Sequence, residues 1–271
     1  MAAAGSSMFA QAGRVTVRGA DLMVEIIGAD GPAFVWCHGT LGSRAQEDAD
    51  GLFDWRPVVE QRWRWVRYDA RGHGESAGTT NVAAYSWREL SRDLIGLADA
   101  LGIARFAAGG ASMGCATVIE AALAAPDRID RMVLCTPPAA WDSHAAQAEH
   151  YRASAAYLRS QGEDEGLAAI EVDVHPPILA GSAAPSAANV RPEWLSAVLR
   201  GAAASDLPPP QKIAQLSQPA LILAWDTDPG HPLATAQRLA EVLPRADLHV
   251  ARTLRQVREW PRLVSTFMGR A

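Results

Sequence analysis

The chain lacks the features that would tie it to a membrane, a metal or a nucleic acid. None of its 271 positions begins a run of eighteen apolar residues, which argues against a transmembrane helix. Cysteine is scarce. Cys37, Cys115 and Cys135 form neither a C-x-x-C pair nor a zinc spacing, and each stands in or beside an apolar run. Buried, reduced thiols in a cytoplasmic protein are therefore expected. Lysine is nearly absent, Lys212 being the only one, and the arginines are scattered through a chain of net charge −5. That leaves no electrostatic footprint for nucleic acid. Residues 1–13, "MAAAGSSMFAQAG", have no basic start and no long apolar core, and so read as a flexible tail rather than a signal peptide. A phosphate loop, a dinucleotide fingerprint and a metal cluster are also missing, so no cofactor and no metal are expected. The expected partner is a small-molecule substrate, with no nucleic acid and no membrane; a homodimer is compatible with the composition.

What is present is an alternation of strands and helices. Hydrophobic residues make up 49%, enough for a substantial core. "RVTVRGADLMVEIIG" (14–28) reads as a hairpin, and "AFVWCHG" (33–39) and the run ending in "YDARGHGES" (68–76) as buried strands leading into glycine-containing loops. Residues 83–101 place Leu90, Leu94, Leu97 and Leu101 on one helical stripe. A strand at 105–110, a helix to about 125 and a strand at 131–136 follow. After "LCTPP" the rhythm gives way to alanine-rich helical sequence over 139–206, and "LPPP" (207–210) marks the return. "PALILAWD" (219–226), a helix at 233–243, a strand at 247–251 and a helix at 255–269 then restore it. The pattern predicts an α/β core of 14–138 and 207–271 around a mostly parallel sheet, with 139–206 as a helical lid.

The chemistry centres on Gly110-Ala111-Ser112-Met113-Gly114, a G-x-S-x-G pattern set between a strand and a helix. A serine in that strained turn is exposed for attack. The helix N-terminus behind it aims unpaired amides, including that of Met113, at a developing oxyanion. "CHGTLGS" (37–43) would bring the N–H of Thr40 opposite, and Leu41 and Met113 beside the hole are candidates to line a pocket. "AWDTDPGHP" (224–232) supplies Asp226 and Asp228 after a later strand.

With these stretches the chain resembles the α/β-hydrolase family over about residues 14–269, and in particular its small lidded esterases and lactonases, such as 3-oxoadipate enol-lactonase. The resemblance implies an eight-stranded, mostly parallel sheet with helices on both faces, a helical lid and a Ser–Asp–His triad in that chain order. Aligning Pro232 with the proline of the family's G-x-x-D-x-x-x-P segment puts the acid at Asp228, with Asp226 the competitor and helix capping the alternative role for both.

The base departs from the family. Its usual place is about five residues before the "E-x-P" of the final helix, here Glu259-Trp260-Pro261, where Leu254 stands instead. No histidine follows His249. His38 and His73 match loop-shaping positions, His144, His150 and His175 fall in the insertion, and His249 lies within the last strand. His231, three residues beyond Asp228, is the one histidine positioned to act as base; bonding to its own loop is the alternative. The expected site is Ser112, Asp228 and His231, with Thr40 and Met113 as oxyanion donors and Leu41, Trp141 and Trp194 contacting substrate. Tyr151 and Tyr157 could join that lining, although helically spaced aromatics, these four included, more often serve lid packing. Arg71 could meet a substrate carboxylate or brace its loop. The expected activity is hydrolysis of an ester, lactone or thioester. The alternatives are a lyase, cyclase or isomerase using the same pocket and oxyanion hole, or a ligand-binding protein with vestigial catalysis.

Overall fold

The structure, a computed structural model, describes residues 10–28, 31–161, 176–180 and 189–270. Eight strands form one sheet: β1 (Ala10–Val17), β2 (Ala20–Ile27), β3 (Ala33–Cys37), β4 (Arg64–Tyr68), β5 (Phe106–Ala111), β6 (Ile129–Cys135), β7 (Ala220–Trp225) and β8 (Ala246–Ala251). Their order is β1-β2-β4-β3-β5-β6-β7-β8. β1 and β2 pair antiparallel, as do β2 and β4, and every later pairing is parallel. The expected hairpin turns at Arg18 and Gly19, whose φ values of 47° and 77° give the twist that favours tight two-residue connections.

The first strand begins earlier than expected. Ala10–Gly13, assigned from sequence to the tail, pair with Val24–Ile27. Gln11, Ala12 and Gly13 are exposed, so backbone hydrogen bonds hold them and no apolar alternation announces the strand.

The two faces of the sheet separate by the period of two that strands impose. Ala33, Val35 and Cys37 of β3 join a core formed with helices Trp87–Ala100, Met113–Ala124 and Leu233–Val242. Phe34 and Trp36 face the other way, into a cluster with Trp55, Trp225, Trp260 and Phe267. The helix expected from residue 83 starts at Trp87, because Ser86 takes an extended backbone and its side chain accepts the Glu89 N–H. The final helix is split into Leu254–Val257 and Trp260–Met268, with Pro261 in the first turn of the second piece, where proline is tolerated.

Between β6 and β7 the described residues include helices His144–Gln161 and Pro192–Ala203. Ala155, Leu158, Leu195 and Val198 form a third apolar cluster with Tyr85, and Leu41 packs against it. This places the insertion over the loops that follow β3 and β4. Part of the 139–206 segment lies outside the described residues.

Two glycines let helix Met113–Ala124 close onto the sheet. A Cβ at residue 114 would collide with the carbonyl oxygen of Cys37, and one at residue 110 with the backbone of Gly114. On an exposed helix, replacing glycine by alanine gains about 1 kcal/mol. Here Gly114→Ala is expected to cost about 2–3 kcal/mol through overpacking against backbone, read as a lowered urea midpoint. An unchanged or raised midpoint would contradict the contact.

Beneath the other face, Glu47 is buried and accepts the Trp36 indole N–H at 2.9 and 3.0 Å through its two oxygens. Burial pushes its carboxyl up to about 8, and the Trp36 N–H and the charge of Arg67 offset this only in part. The folded chain therefore binds more protons than the unfolded one between pH 4.5 and about 8. Stability from this group is full below that window and is lost as pH rises through it. Thermal melts of Glu47→Gln at pH 5, 7 and 9 are expected to show a smaller decline with pH than the parent; equal declines would contradict the assignment.

Candidate active site

The close approach of helix and strand leaves Ser112 a backbone of φ 53°, ψ −113°. A non-glycine residue holds such a conformation only when its surroundings over-determine it. The Ser112 N–H is bonded to the carbonyls of Cys135 (3.1 Å) and Thr136 (3.2 Å) at the end of β6, while its side chain stands at the head of helix Met113–Ala124. Gly39 lies alongside; a Cβ there would be 3.5 Å from that of Ser112. Among the described residues, the N–H groups of Thr40 and Met113 have no acceptor. Two free amide donors therefore flank the serine, as an oxyanion hole requires.

Asp228 follows β7 on the loop to helix Leu233–Val242. Its Oδ2 accepts the Trp225 indole N–H at 2.8 Å and lies 2.7 Å from His231 Nδ1, and its Oδ1 accepts the Gly230 N–H at 2.9 Å. Burial raises the carboxyl's pKa, but the hydrogen bond and charge of His231 and the bonds from Trp225 and Gly230 outweigh it and hold the group below its ordinary value. A carboxylate against Nδ1 keeps that nitrogen protonated and leaves Nε2 with a bare lone pair, the tautomer a general base needs. Nε2 has no hydrogen-bond partner among the described residues, nor does the Ser112 hydroxyl.

The loop is joined to the serine's surroundings. The Gly230 carbonyl accepts the Ala139 N–H at 3.0 Å, three residues after Thr136. The Tyr151 phenol, raised in pKa by burial, is near enough to feel the Asp228 charge. Asp226 is placed differently. Its Oδ1 takes the N–H of Thr227 and its side chain borders an open pocket of about 270 Å³ shared with Pro177, Ile178, Thr227 and Arg252. The geometry gives the histidine to Asp228 and not to Asp226.

The usual seat of the family's base is closed by hydrocarbon. Thr253 caps helix Leu254–Val257, and Leu254 packs against the cluster containing Trp225, Ala251, Val257 and Trp260. Trp225 and Trp260 stack at 5.5 Å, and the His231 ring stands edge-on to Trp225 at 6.2 Å.

The other histidines are occupied or remote. His38 donates from Nδ1 to the Gly39 carbonyl (2.8 Å) and accepts the Ala70 N–H at Nε2 (2.9 Å), linking the loops after β3 and β4. His73 is fully buried with Nδ1 on the Arg71 carbonyl (2.9 Å), and burial together with the charge of His38 pushes it down to about 3. His144 lies 4.0 Å from Asp206, and His150 and His249 are exposed. His175 falls outside the described residues.

Arg71 is chelated by Asp93, with both bonds at 2.8 Å, and braces its loop. Two expected substrate contacts have partners within the chain. The Trp141 indole donates to the Pro208 carbonyl at 3.1 Å, and Trp194 packs on Gly78 beneath the Arg191 guanidinium. They anchor the ends of the insertion. Leu41 remains beside Thr40, in a turn where its φ is 64°. Trp225 as a donor to Asp228 was not legible as such. The only sequence signal was an indole three residues before the acid.

The sequence pattern of the alpha/beta hydrolase fold family matches residues 32–160. Among solved structures, the enol-lactonase of Burkholderia xenovorans LB400 superposes with a TM-score of 0.71 at 22% identity, covering 95% of this chain and all of that one. The chain has the α/β-hydrolase fold. A putative carbamate hydrolase of Caulobacter sp. strain K31 is 28% identical over 214 residues, 73% of this chain and 76% of its own. An epoxide hydrolase of Caballeronia sordidicola is 32% identical over 118 residues, 42% of this chain; the match spans a third of that enzyme's length.

Proposed function

We propose that the chain hydrolyses a small ester, lactone or thioester by acyl transfer through Ser112, with His231 as base and Asp228 as its orienting acid. One observation carries the reading: the 2.7 Å contact between His231 Nδ1 and Asp228, with Nε2 left open on a loop joined to the serine's surroundings. The base thus comes from the loop after β7 instead of the loop after β8.

In this mechanism the Ser112 hydroxyl attacks the acyl carbon while His231 Nε2 takes its proton. The carbonyl oxygen gains negative charge and is met by the N–H groups of Thr40 and Met113. Collapse breaks the bond to the leaving oxygen or sulfur, which recovers the proton from His231. Water, activated by the same imidazole, then cleaves the acyl-serine. No hydrogen bond joins Ser112 to His231 in the structure; catalytic bonds of this kind commonly tighten only once substrate is bound.

The substrate class draws on the fold shared with an enol-lactonase and on hydrolase relatives, one of them named a carbamate hydrolase. The three free cysteines are all buried, which fits the cytoplasm. Among the described residues no helix is long and apolar enough to cross a membrane, and no group of side chains could hold a metal ion. A lyase or isomerase using the oxyanion hole alone is the second reading, favoured by the filled seat at Leu254 and the unmade Ser112–His231 bond.

Labelling with a fluorophosphonate probe separates the two. The parent chain is expected to label, and Ser112→Ala not at all. His231→Ala should cut both labelling rate and p-nitrophenyl acetate turnover by about 10³-fold or more. An unlabelled parent, under conditions where a control esterase reacts, would transfer the case to the second reading. Labelling indifferent to His231→Ala would remove that residue as base.

A further inference from the structure

Strand periodicity decides which way Trp225 faces. Alternate residues of β7 meet opposite sides of the sheet, so Leu221, Leu223 and Trp225 join the cluster of Trp55 and Trp260, while Ala220, Ile222 and Ala224 join the other core. Within that cluster Trp225 is 4% exposed and its indole lies nearly parallel to that of Trp260, at 5.5 Å and 16°. Trp260 stacks in turn on Phe53, at 6.4 Å and 24°. A ring packed in this way has little freedom to turn, so the core fixes the direction of its N–H.

That N–H is donated to Asp228 Oδ2 at 2.8 Å. The same oxygen lies 2.7 Å from His231 Nδ1, and Oδ1 accepts the Gly230 N–H at 2.9 Å. Gly230 and His231 follow Asp228 in its own loop, and the His231 N–H closes that loop on the Asp228 carbonyl at 3.1 Å. Two of the carboxylate's three partners therefore belong to the loop. The indole belongs to the sheet. The carboxylate is also more enclosed than the imidazole, with side-chain exposures of 9% and 22%. Position 225 is that of the glycine in the G-x-x-D segment, and glycine has no side-chain donor to offer.

We propose that Trp225 is a positioning residue for the acid–base pair. Its indole N–H fixes the plane of the Asp228 carboxylate relative to the sheet, and the carboxylate fixes the His231 imidazole. This rests on the acyl-transfer reading of Ser112. A carboxylate bonded through both oxygens cannot swing about its Cβ–Cγ bond without giving up charge-assisted hydrogen bonds. The His231 ring, edge-on to Trp225 at 6.2 Å and 86°, is confined by the same indole. The direction of Nε2 is thus set by the core, and small misplacements of a general base are costly in rate.

The test separates the N–H from the ring. Trp225→Phe keeps an aromatic face against Trp260 and removes the donor; Trp225→3-benzothienylalanine keeps the whole bicycle, with sulfur in place of the N–H. With p-nitrophenyl acetate, both are expected to lower kcat about tenfold and leave KM unchanged. In an Asp228→Ala background the same changes should cost less than about twofold, because the indole acts through the carboxylate. Without any turnover, the Trp225 indole N–H resonance, identified by its loss in either variant, should move upfield in Asp228→Ala. A kcat unchanged by the sulfur isostere, a loss undiminished in Asp228→Ala, or an indole resonance indifferent to Asp228→Ala would overturn the proposal. If Trp225→Phe does not fold, the isostere decides the rate comparison alone. Should the parent show no Ser112 chemistry, the hydrolase reading falls while the indole resonance still decides whether Trp225 holds Asp228.

Discussion

The contact of Gly114 with the Cys37 carbonyl sets the geometry of the whole site. Because a single Cβ would not fit there, helix Met113–Ala124 begins hard against β3, and the chain must reverse within one residue on leaving β5. Ser112 takes the strain of that reversal at φ 53°, and two carbonyls at the end of β6 clamp its N–H. The same closeness brings Gly39 beside Ser112, and the N–H of Thr40, next in the chain, is left without an acceptor among the described residues. The oxyanion hole we propose would thus follow from packing.

How much could be read from the chain depended on whether a feature was local. The elbow was legible because its two glycines and one serine each answer a steric demand within five residues. The hairpin and the buried strands were legible from turn chemistry and continuous apolar runs. Ala10–Gly13 were not, since this edge strand, exposed over Gln11–Gly13, is held by backbone bonds that leave no mark on side-chain pattern. For Trp141 and Trp194 the chain offered two readings, substrate contact or lid packing, and did not show what they touch. Their partners, Pro208 and Gly78, lie 67 and 116 positions away, beyond the reach of any spacing argument.

The acid and base lie between these cases. The spacing to Pro232 selected Asp228 over Asp226, and the structure bonds Asp228 to His231. The absence of histidine after β8 was visible at once, but its physical consequence was not. Leu254, Trp225 and Trp260 fill that corner as part of the core, and the Trp225 indole also donates to the carboxylate that holds the imidazole. In the mechanism we propose, Asp-x-x-His would set acid and base on one short loop, braced by the packing around Leu254. The loop in turn meets the start of the insertion through the bond from the Ala139 N–H to the Gly230 carbonyl.

The central claim is that His231 receives the Ser112 proton, and nitrogen-15 NMR of the imidazole reads this directly. With a boronic acid bound to Ser112 as a tetrahedral mimic, His231 is expected to carry protons on both nitrogens, its Nδ1 proton shifted far downfield by Asp228. Asp228→Asn should abolish that downfield signal. A His231 spectrum indifferent to occupation of Ser112 would contradict the account.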